Sequence, residues 1–192
     1  MEAWLSGPLD GVNPVLMPAA HALVQARRDI ASGVAGLASR ELALRPGGVA
    51  SLGFHLRHVA GSIDRLLTYA RGEMLDERQW KVLALEESGE GMSIEAGELT
   101  NAVHSAIDEA LRVMRETDVT ALQDPRSVGR AALPTTVFGL LFHIAEHTQR
   151  HTGQIIATAK IVRAGVPADV MIPATQTFSA SAEEKLSGKV QQ

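Results

Sequence analysis

The sequence has 192 residues, with 18 basic and 22 acidic side chains and a formal net charge of -4. This length suits one domain with a sizeable core, and the lack of a basic excess argues against a nucleic-acid-binding protein. The chain has no cysteine, which excludes disulfides, thiolate catalysis and cysteine–zinc sites. No apolar run approaches the ~18 residues of a membrane helix and no signal peptide is evident, so we expect a cytoplasmic protein with no membrane partner.

Four long segments carry apolar residues at the helical spacings of three and four. They are predicted as helices at about 15–38, 52–71, 94–116 and 136–164. The stripe of the third segment, for example, consists of Leu99, Val103, Ile107, Ala110 and Met114. Residues suited to helix capping stand at the predicted ends, namely Ser51, Ser93, Thr135, Gly72 and Gly165. No segment alternates with a period of two, so the chain is predicted to be all-α, as a four-helix bundle.

A long connection joins the second and third predicted helices, at about 73–92. We predict a short helix around 77–85 within it, with Trp80 as its anchor. A connection of this length suits a crossover or a lid over a site. Residues 1–170 are predicted as the bundle domain and 171–192 as a polar tail. Trp4, Trp80 and Phe178 lie outside the apolar stripes and are expected to pack locally, while a homodimer remains an expectation for a bundle of this kind.

Histidines are concentrated in the second and fourth predicted helices, which hold five of the seven in the chain. His143, His147 and His151 follow one another at steps of four, which places consecutive side chains one turn apart on a helix. On a helical wheel, His147 and His151 lie inside or beside the apolar face, whereas His143 lies on its flank. His143 and His151 are also about 12 Å apart along the axis, too far to bind one ion. His147 and His151 are therefore the predicted chelating pair.

A third ligand would have to come from the second helix, which offers His55 and His58. The wheel places His55 closer to the apolar stripe and thus predicts it to be the more buried. Both histidines share a polar flank with Ser62 and Tyr69. The spacing alone leaves both candidates open.

A rival motif overlaps the histidine run, because residues 143–147 match the H-x-x-E-H signature of inverted zinc peptidases. That mechanism requires Glu146 as a general base, but the wheel turns Glu146 away from the apolar face. A di-iron carboxylate bundle is also disfavoured, since it needs E-x-x-H motifs and Gln149 stands where that histidine would be.

Two motifs carry a resemblance to a known family. One is Ser51-Leu-Gly-Phe-His55-Leu-Arg-His58-Val-Ala-Gly61, and the other is His147-Thr-Gln-Arg-His151-Thr-Gly153-Gln154. Over about 15–164 the chain resembles the DNA-damage-inducible, DinB-like superfamily of four-helix-bundle metalloproteins. The resemblance implies a three-histidine site for nickel, zinc or iron, formed by His58, His147 and His151. Many members carry histidine where this chain has Arg150, a position expected to face outward.

The resemblance also implies a function. Characterised relatives include thiol transferases that use mycothiol or bacillithiol, a maleylpyruvate isomerase and the metal-binding domain of ergothioneine-forming enzymes. It implies a metal-dependent S-transferase or hydrolase-like enzyme that acts on a low-molecular-weight thiol or another small molecule through a metal-activated thiol or water. His55, Tyr69 and Gln154 are expected to support the ligands or to contact substrate. The alternative is a non-catalytic bundle in which the ion is structural, and His55 as a fourth ligand would favour it.

Overall fold

The computed structural model describes residues 1–88 and 95–165, and these residues are predominantly helical. They form six α-helices, which are α1 (Met17–Val34), α2 (Ser39–Leu42), α3 (Leu52–Ala70), α4 (Glu77–Ser88), α5 (Ala96–Glu116) and α6 (Val137–Arg163). Short 3₁₀ helices occur at Ala3–Leu5, Pro46–Gly48 and Val119–Gln123. Two antiparallel strands, β1 (Pro125–Val128) and β2 (Leu133–Thr136), form a hairpin before α6. The predicted all-α class is confirmed.

The four long helices form the bundle and enclose one hydrophobic core. Helices α1 and α3 each pack against both α5 and α6, so α1 and α3 lie diagonally opposite each other. The predicted stripe of α5 is buried throughout, at Leu99, Val103, Ile107, Ala110 and Met114. Burial of such a stripe is the main source of helix stability in a bundle. The packing of α3 on α6 brings the two histidine-rich helices together.

Side-chain caps and glycines define the helix ends. The Ser51 hydroxyl accepts a hydrogen bond from the Phe54 amide at 3.1 Å and begins α3, as predicted. The cap of α6 is Thr136 rather than the predicted Thr135, since the Thr136 hydroxyl accepts from the Gly139 amide at 3.0 Å. Gly72 and Gly165 follow α3 and α6 with φ of 82° and 67°, the left-handed conformation that glycine favours. The predicted cap Ser93 lies outside the described residues.

Two features differ from the sequence prediction. The first helix ends at Val34 rather than near residue 38, because Gly36 takes a left-handed φ of 76° and the chain starts again in α2. The hairpin was not predicted, because its strands have four residues each and neither alternates between apolar and polar side chains. Pro125 and Pro134 within the strands weaken the strand signal further.

Helix α4 lies in the long connection, where a short helix was predicted, and it packs against the outside of α3. Trp80 is not its anchor, because its ring is half-buried and lies 4.7 Å from the Arg130 guanidinium. Among the α4 side chains that the structure describes, at 77–86, the buried ones are instead Gln79 and Glu86. Gln79 Nε2 donates to Thr68 Oγ1 at 2.8 Å, so α4 is held to α3 by polar contacts. The predicted tail, 171–192, lies outside the described residues.

Candidate metal centre

Two neighbouring helices of the bundle place three histidines in one cluster. His58 projects from the middle of α3, and His147 and His151 project one turn apart from α6. One ring nitrogen from each of the three lies within 4.8 Å of the others. Within the described ranges, 1–88 and 95–165, this group has three members and does not include His55. All three side chains are half-buried.

The distances within the cluster fit a shared ion. His58 Nε2 lies 3.0 Å from His147 Nε2. The ring centroids of His147 and His151 are 4.5 Å apart, and those of His58 and His151 are 4.7 Å apart. Two imidazole nitrogens that bind one tetrahedral zinc ion are about 3.3 Å apart, given zinc–nitrogen bonds of about 2.0 Å. The His58 and His147 nitrogens are therefore within a few tenths of an ångström of this spacing, and the His151 donor lies within 4.8 Å of both. An all-nitrogen donor set suits zinc, nickel or iron.

The environment keeps the α6 pair neutral. Burial, followed by the positive charge of a protonated His58 or His143, lowers the pKa of His147 to about 4. Burial and the neighbouring histidines likewise lower the pKa of His151 to about 4. Both imidazoles are thus uncharged at neutral pH, which is the form that binds a metal ion.

Two further side chains contact the cluster from outside. His55 is 4 % exposed, and its Nδ1 lies 3.0 Å from Nδ1 of His151. The wheel prediction that His55 is more buried than His58 is confirmed. His58 Nδ1 donates to the Glu86 carboxylate at 3.0 Å, which leaves its Nε2 directed at His147. His58 therefore has a carboxylate partner for the nitrogen that faces away from His147, as metal-binding histidines usually do.

The remaining predicted residues are not members of the three-histidine group, although the ring centroid of His143 lies 5.4 Å from that of His147. The His143 side chain is 47 % exposed and contacts Glu146, as the wheel predicted for a histidine on the flank. Glu146 also pairs with Arg150, and both lie on the outer side of α6. Tyr69 is buried in the core, about 16 Å along α3 from His58. Gln154 is exposed on α6, three residues after His151. Roles for Tyr69 and Gln154 in substrate contact remain predictions.

Glu86 and its partner Arg65 were not predicted from the sequence. Arg65 Nη1 and Nη2 donate to the two oxygens of Glu86 at 2.6 and 3.1 Å, and Glu86 is 2 % exposed. Burial pushes the pKa of Glu86 up, but the hydrogen bonds from His58 and Arg65 outweigh it and leave that pKa below its ordinary value. Arg65 follows His58 by two helical turns, so the spacing in α3 indicates that the two side chains lie on the same face of the helix. Nothing local in the polar sequence of α4 indicates Glu86.

An open cleft between α3 and α4 borders the cluster at His58. Its volume is about 290 Å³, and it is lined by Phe54, His58, Leu83, Ala84 and Glu86. The Phe54 ring is stacked on the His58 ring, with centroids 5.4 Å apart and an interplanar angle of 8°. The cleft thus has an apolar wall and would bring a small molecule next to His58, at one edge of the histidine cluster.

A comparison with known protein families identifies the family of this chain. The family model of the DinB superfamily matches residues 22–155, which include both histidine-bearing helices apart from the end of α6. The chain belongs to the DinB superfamily. A search of the curated proteins finds no significant match. The described part of the chain contains no helix with the length and apolar character needed to cross a bilayer. The helical bundle and the three-histidine group are what membership of this superfamily led us to expect.

Proposed function

We propose that this DinB-superfamily protein binds a divalent metal ion through His58, His147 and His151 and is a metal-dependent enzyme that acts through an activated thiol or water. The observation that carries the proposal is the group of three ring nitrogens within 4.8 Å of one another, one of whose histidines, His58, lines an open cleft. Three protein ligands with access from outside are typical of catalytic rather than structural sites. An ion bound there would lower the pKa of a coordinated water or thiol and so supply a nucleophile at neutral pH.

The chain's own residues would bind and orient the reactants. Phe54 and Leu83 offer an apolar wall for the carbon skeleton of a small substrate, and His58 forms the side of the cleft next to the cluster. The half-buried position of the cluster reduces the water around it, which strengthens electrostatic interactions with a bound anion such as a thiolate. These features support an S-transferase-like reaction between a low-molecular-weight thiol and an electrophile.

A second candidate is a non-catalytic role in which the ion stabilises the bundle. It is favoured by one observation, which is that the ligands come from two helices packed against each other. An ion between α3 and α6 would cross-link them and add its binding free energy to folding. The cleft at His58 and the absence of His55 from the three-histidine group within the described ranges favour the enzyme.

The binding proposal is tested by metal analysis of protein purified without added ions. We expect close to one equivalent of a divalent metal in the wild type, and a large loss in His58→Ala and His147→Ala. His143→Ala is the matched control, because His143 is a histidine of the same helix that lies outside the cluster. Unchanged metal content in both His58→Ala and His147→Ala would refute the site.

The catalytic proposal is tested by a screen for consumption of several low-molecular-weight thiols with electrophilic substrates. Ala84→Phe should fill the cleft without replacing a ligand, because Ala84 lines it on α4. We expect this variant to keep its metal and to lose thiol consumption. If neither it nor the wild type turns over any thiol or hydrolysable substrate, the structural role is favoured.

A homodimer remains part of the proposal. Trp4 is 64 % exposed and Phe142 is 52 % exposed, so the described surface has apolar side chains that a second copy could cover. Light scattering across a concentration series measures this directly, and a constant monomer mass would contradict it.

A further inference from the structure

The Glu86 carboxylate is buried beside one of the proposed ligands, although it belongs to a different part of the chain. It lies on α4 in the long connection, whereas His58 lies on α3, and Glu86 is 2 % exposed. A buried carboxylate is costly unless its oxygens are paired, so its position requires specific partners. Those partners are His58 at 3.0 Å and Arg65 at 2.6 and 3.1 Å.

We propose that Glu86 is a positioning residue that holds His58 in the tautomer with hydrogen on Nδ1 and directs its Nε2 lone pair into the histidine cluster. An ionised carboxylate can only accept, so the His58 nitrogen that faces it must carry the hydrogen. The opposite nitrogen, Nε2, is the one that lies 3.0 Å from His147. The functional meaning of this arrangement rests on the proposed metal site, but the tautomer itself does not require a metal.

The surroundings of Glu86 are built around this contact. Arg65 pairs with both carboxylate oxygens and neutralises the buried charge. Gly61 leaves the space for the carboxylate, since a β-carbon at this position would overlap Glu86 Oε1. Three residues of α3, each on a different turn, therefore fix the position of one side chain from α4. This places Glu86 more rigidly than a carboxylate on an exposed helix surface.

The chain contains a matched comparison. Glu146 Oε2 lies 3.1 Å from His143 Nδ1, almost the same distance as in the Glu86–His58 pair. The Glu146 side chain is 39 % exposed and its histidine lies outside the cluster. If any carboxylate–histidine contact affected metal binding, substitution of either glutamate would weaken metal affinity. If positioning of a ligand is the cause, only substitution of Glu86 will weaken it.

Replacing Glu86 with glutamine should reverse the tautomer of His58. A glutamine has one oxygen and one NH₂ group, and Arg65 needs an acceptor at the position of Oε1. The NH₂ group then lies opposite His58 Nδ1, which must become an acceptor, and the hydrogen moves to Nε2. In that form His58 offers no lone pair to the cluster.

The first experiment measures the tautomer in the metal-free protein. Nitrogen-15 NMR of histidine-labelled protein at about pH 8, where an ordinary histidine is neutral, distinguishes the two ring nitrogens. We expect hydrogen on Nδ1 of His58 in the wild type and in Glu146→Gln, and on Nε2 in Glu86→Gln. Hydrogen on Nε2 of His58 in the wild type would overturn the inference.

The second experiment measures zinc affinity by competition with a chromophoric chelator. Loss of an outer partner of a ligand typically weakens metal affinity by about 10–100-fold, so we expect a loss in this range for Glu86→Gln and none for Glu146→Gln. The double variant E86M/R65M removes the buried ion pair as a unit, which such cores often tolerate, and it covers the case in which Glu86→Gln fails to fold. It should show the same loss of affinity.

The outcomes separate this inference from the proposed function. The inference would be overturned if the wild type binds zinc and if E86M/R65M, together with any folded Glu86→Gln, has a zinc affinity within roughly twofold of the wild-type value. The proposed metal site would then still be supported. A wild type that fails to bind zinc would refute the metal site, and the tautomer measured without metal would still decide whether Glu86 positions His58. Weakened zinc binding by Glu86→Gln with hydrogen on Nε2 of His58 would establish the inference, and if Glu86→Gln fails to fold, weakened zinc binding by folded E86M/R65M together with hydrogen on Nδ1 in the wild type would establish it.

Discussion

Gly61 and Glu86 occupy complementary positions, because the missing side chain of Gly61 on α3 is the space that the Glu86 carboxylate fills from α4. An ideal β-carbon at Gly61 would overlap Glu86 Oε1 and lie 2.8 Å from Arg65 Nη1. The glycine is therefore required by close approach and not by backbone conformation, since it lies inside a regular helix. This contact joins the connection between two bundle helices to the edge of the histidine cluster.

The first prediction follows from that contact. Gly61→Ala should displace the carboxylate, weaken its pairing with Arg65 and lower the free energy of unfolding by about 1–3 kcal/mol, the range for a buried polar group left poorly paired. Gly153→Ala is the control, because Gly153 also lies in a helix and, apart from its chain neighbours and the adjacent backbone of its own helix, no described atom is within 4 Å of its β-carbon position. It should stabilise the protein by about 0.5–1 kcal/mol. Urea unfolding of the metal-free proteins measures both, and equal effects would contradict the steric explanation.

The second prediction concerns stabilisation by metal. Zinc at about 100 times its dissociation constant should raise the free energy of unfolding by about 2.7 kcal/mol, because the ion binds the folded state. A chelator should reverse the increase. His143→Ala should be stabilised by zinc as much as the wild type, and His151→Ala far less, because His151 is a member of the three-histidine group and His143 is not. An undiminished response of His151→Ala in thermal unfolding would argue against its role as a ligand.

The third prediction concerns two buried threonines of α6. Thr148 is fully buried, and its hydroxyl has no hydrogen-bond partner within the described part of the chain. Thr152 donates from its hydroxyl to the Thr148 carbonyl at 2.8 Å. Thr148→Val should stabilise the metal-free protein by about 1 kcal/mol, whereas Thr152→Val should destabilise it by about 0.5–1.5 kcal/mol. Denaturant unfolding tests this pair, and the reverse order of stability would show that the Thr148 hydroxyl has an important partner.

The fourth prediction tests the start of α6. Thr136→Ala removes the hydroxyl that accepts from the Gly139 amide at 3.0 Å, and it should lower the free energy of unfolding by about 1 kcal/mol. Thr135→Ala, one residue earlier in β2, is the control and should have a smaller effect. Amide hydrogen exchange of the first turn of α6 should increase only in Thr136→Ala. A larger effect of Thr135→Ala would restore the cap that the sequence suggested.

The sequence by itself determined the features that depend on local spacing. Apolar periodicity predicted the four bundle helices, and a step of four residues placed His147 and His151 on one face, because helix geometry alone sets both. The order of burial of His55 and His58 also followed from the wheel. Short polar elements were beyond this reasoning, and so the hairpin and the true anchors of α4 were missed.

Only the tertiary structure decided how the helices face one another. His55 and His58 lie one turn apart on α3, and the rotation of α3 against α6 directs His55 to Nδ1 of His151 and His58 to Nε2 of His147. The docking of α4 brings Glu86 to His58 across 28 positions of sequence. Such contacts depend on side chains from separate helices that meet only after the core has packed. Local periodicity does not encode them, because each side chain fits its own helix equally well whether or not its partner is present.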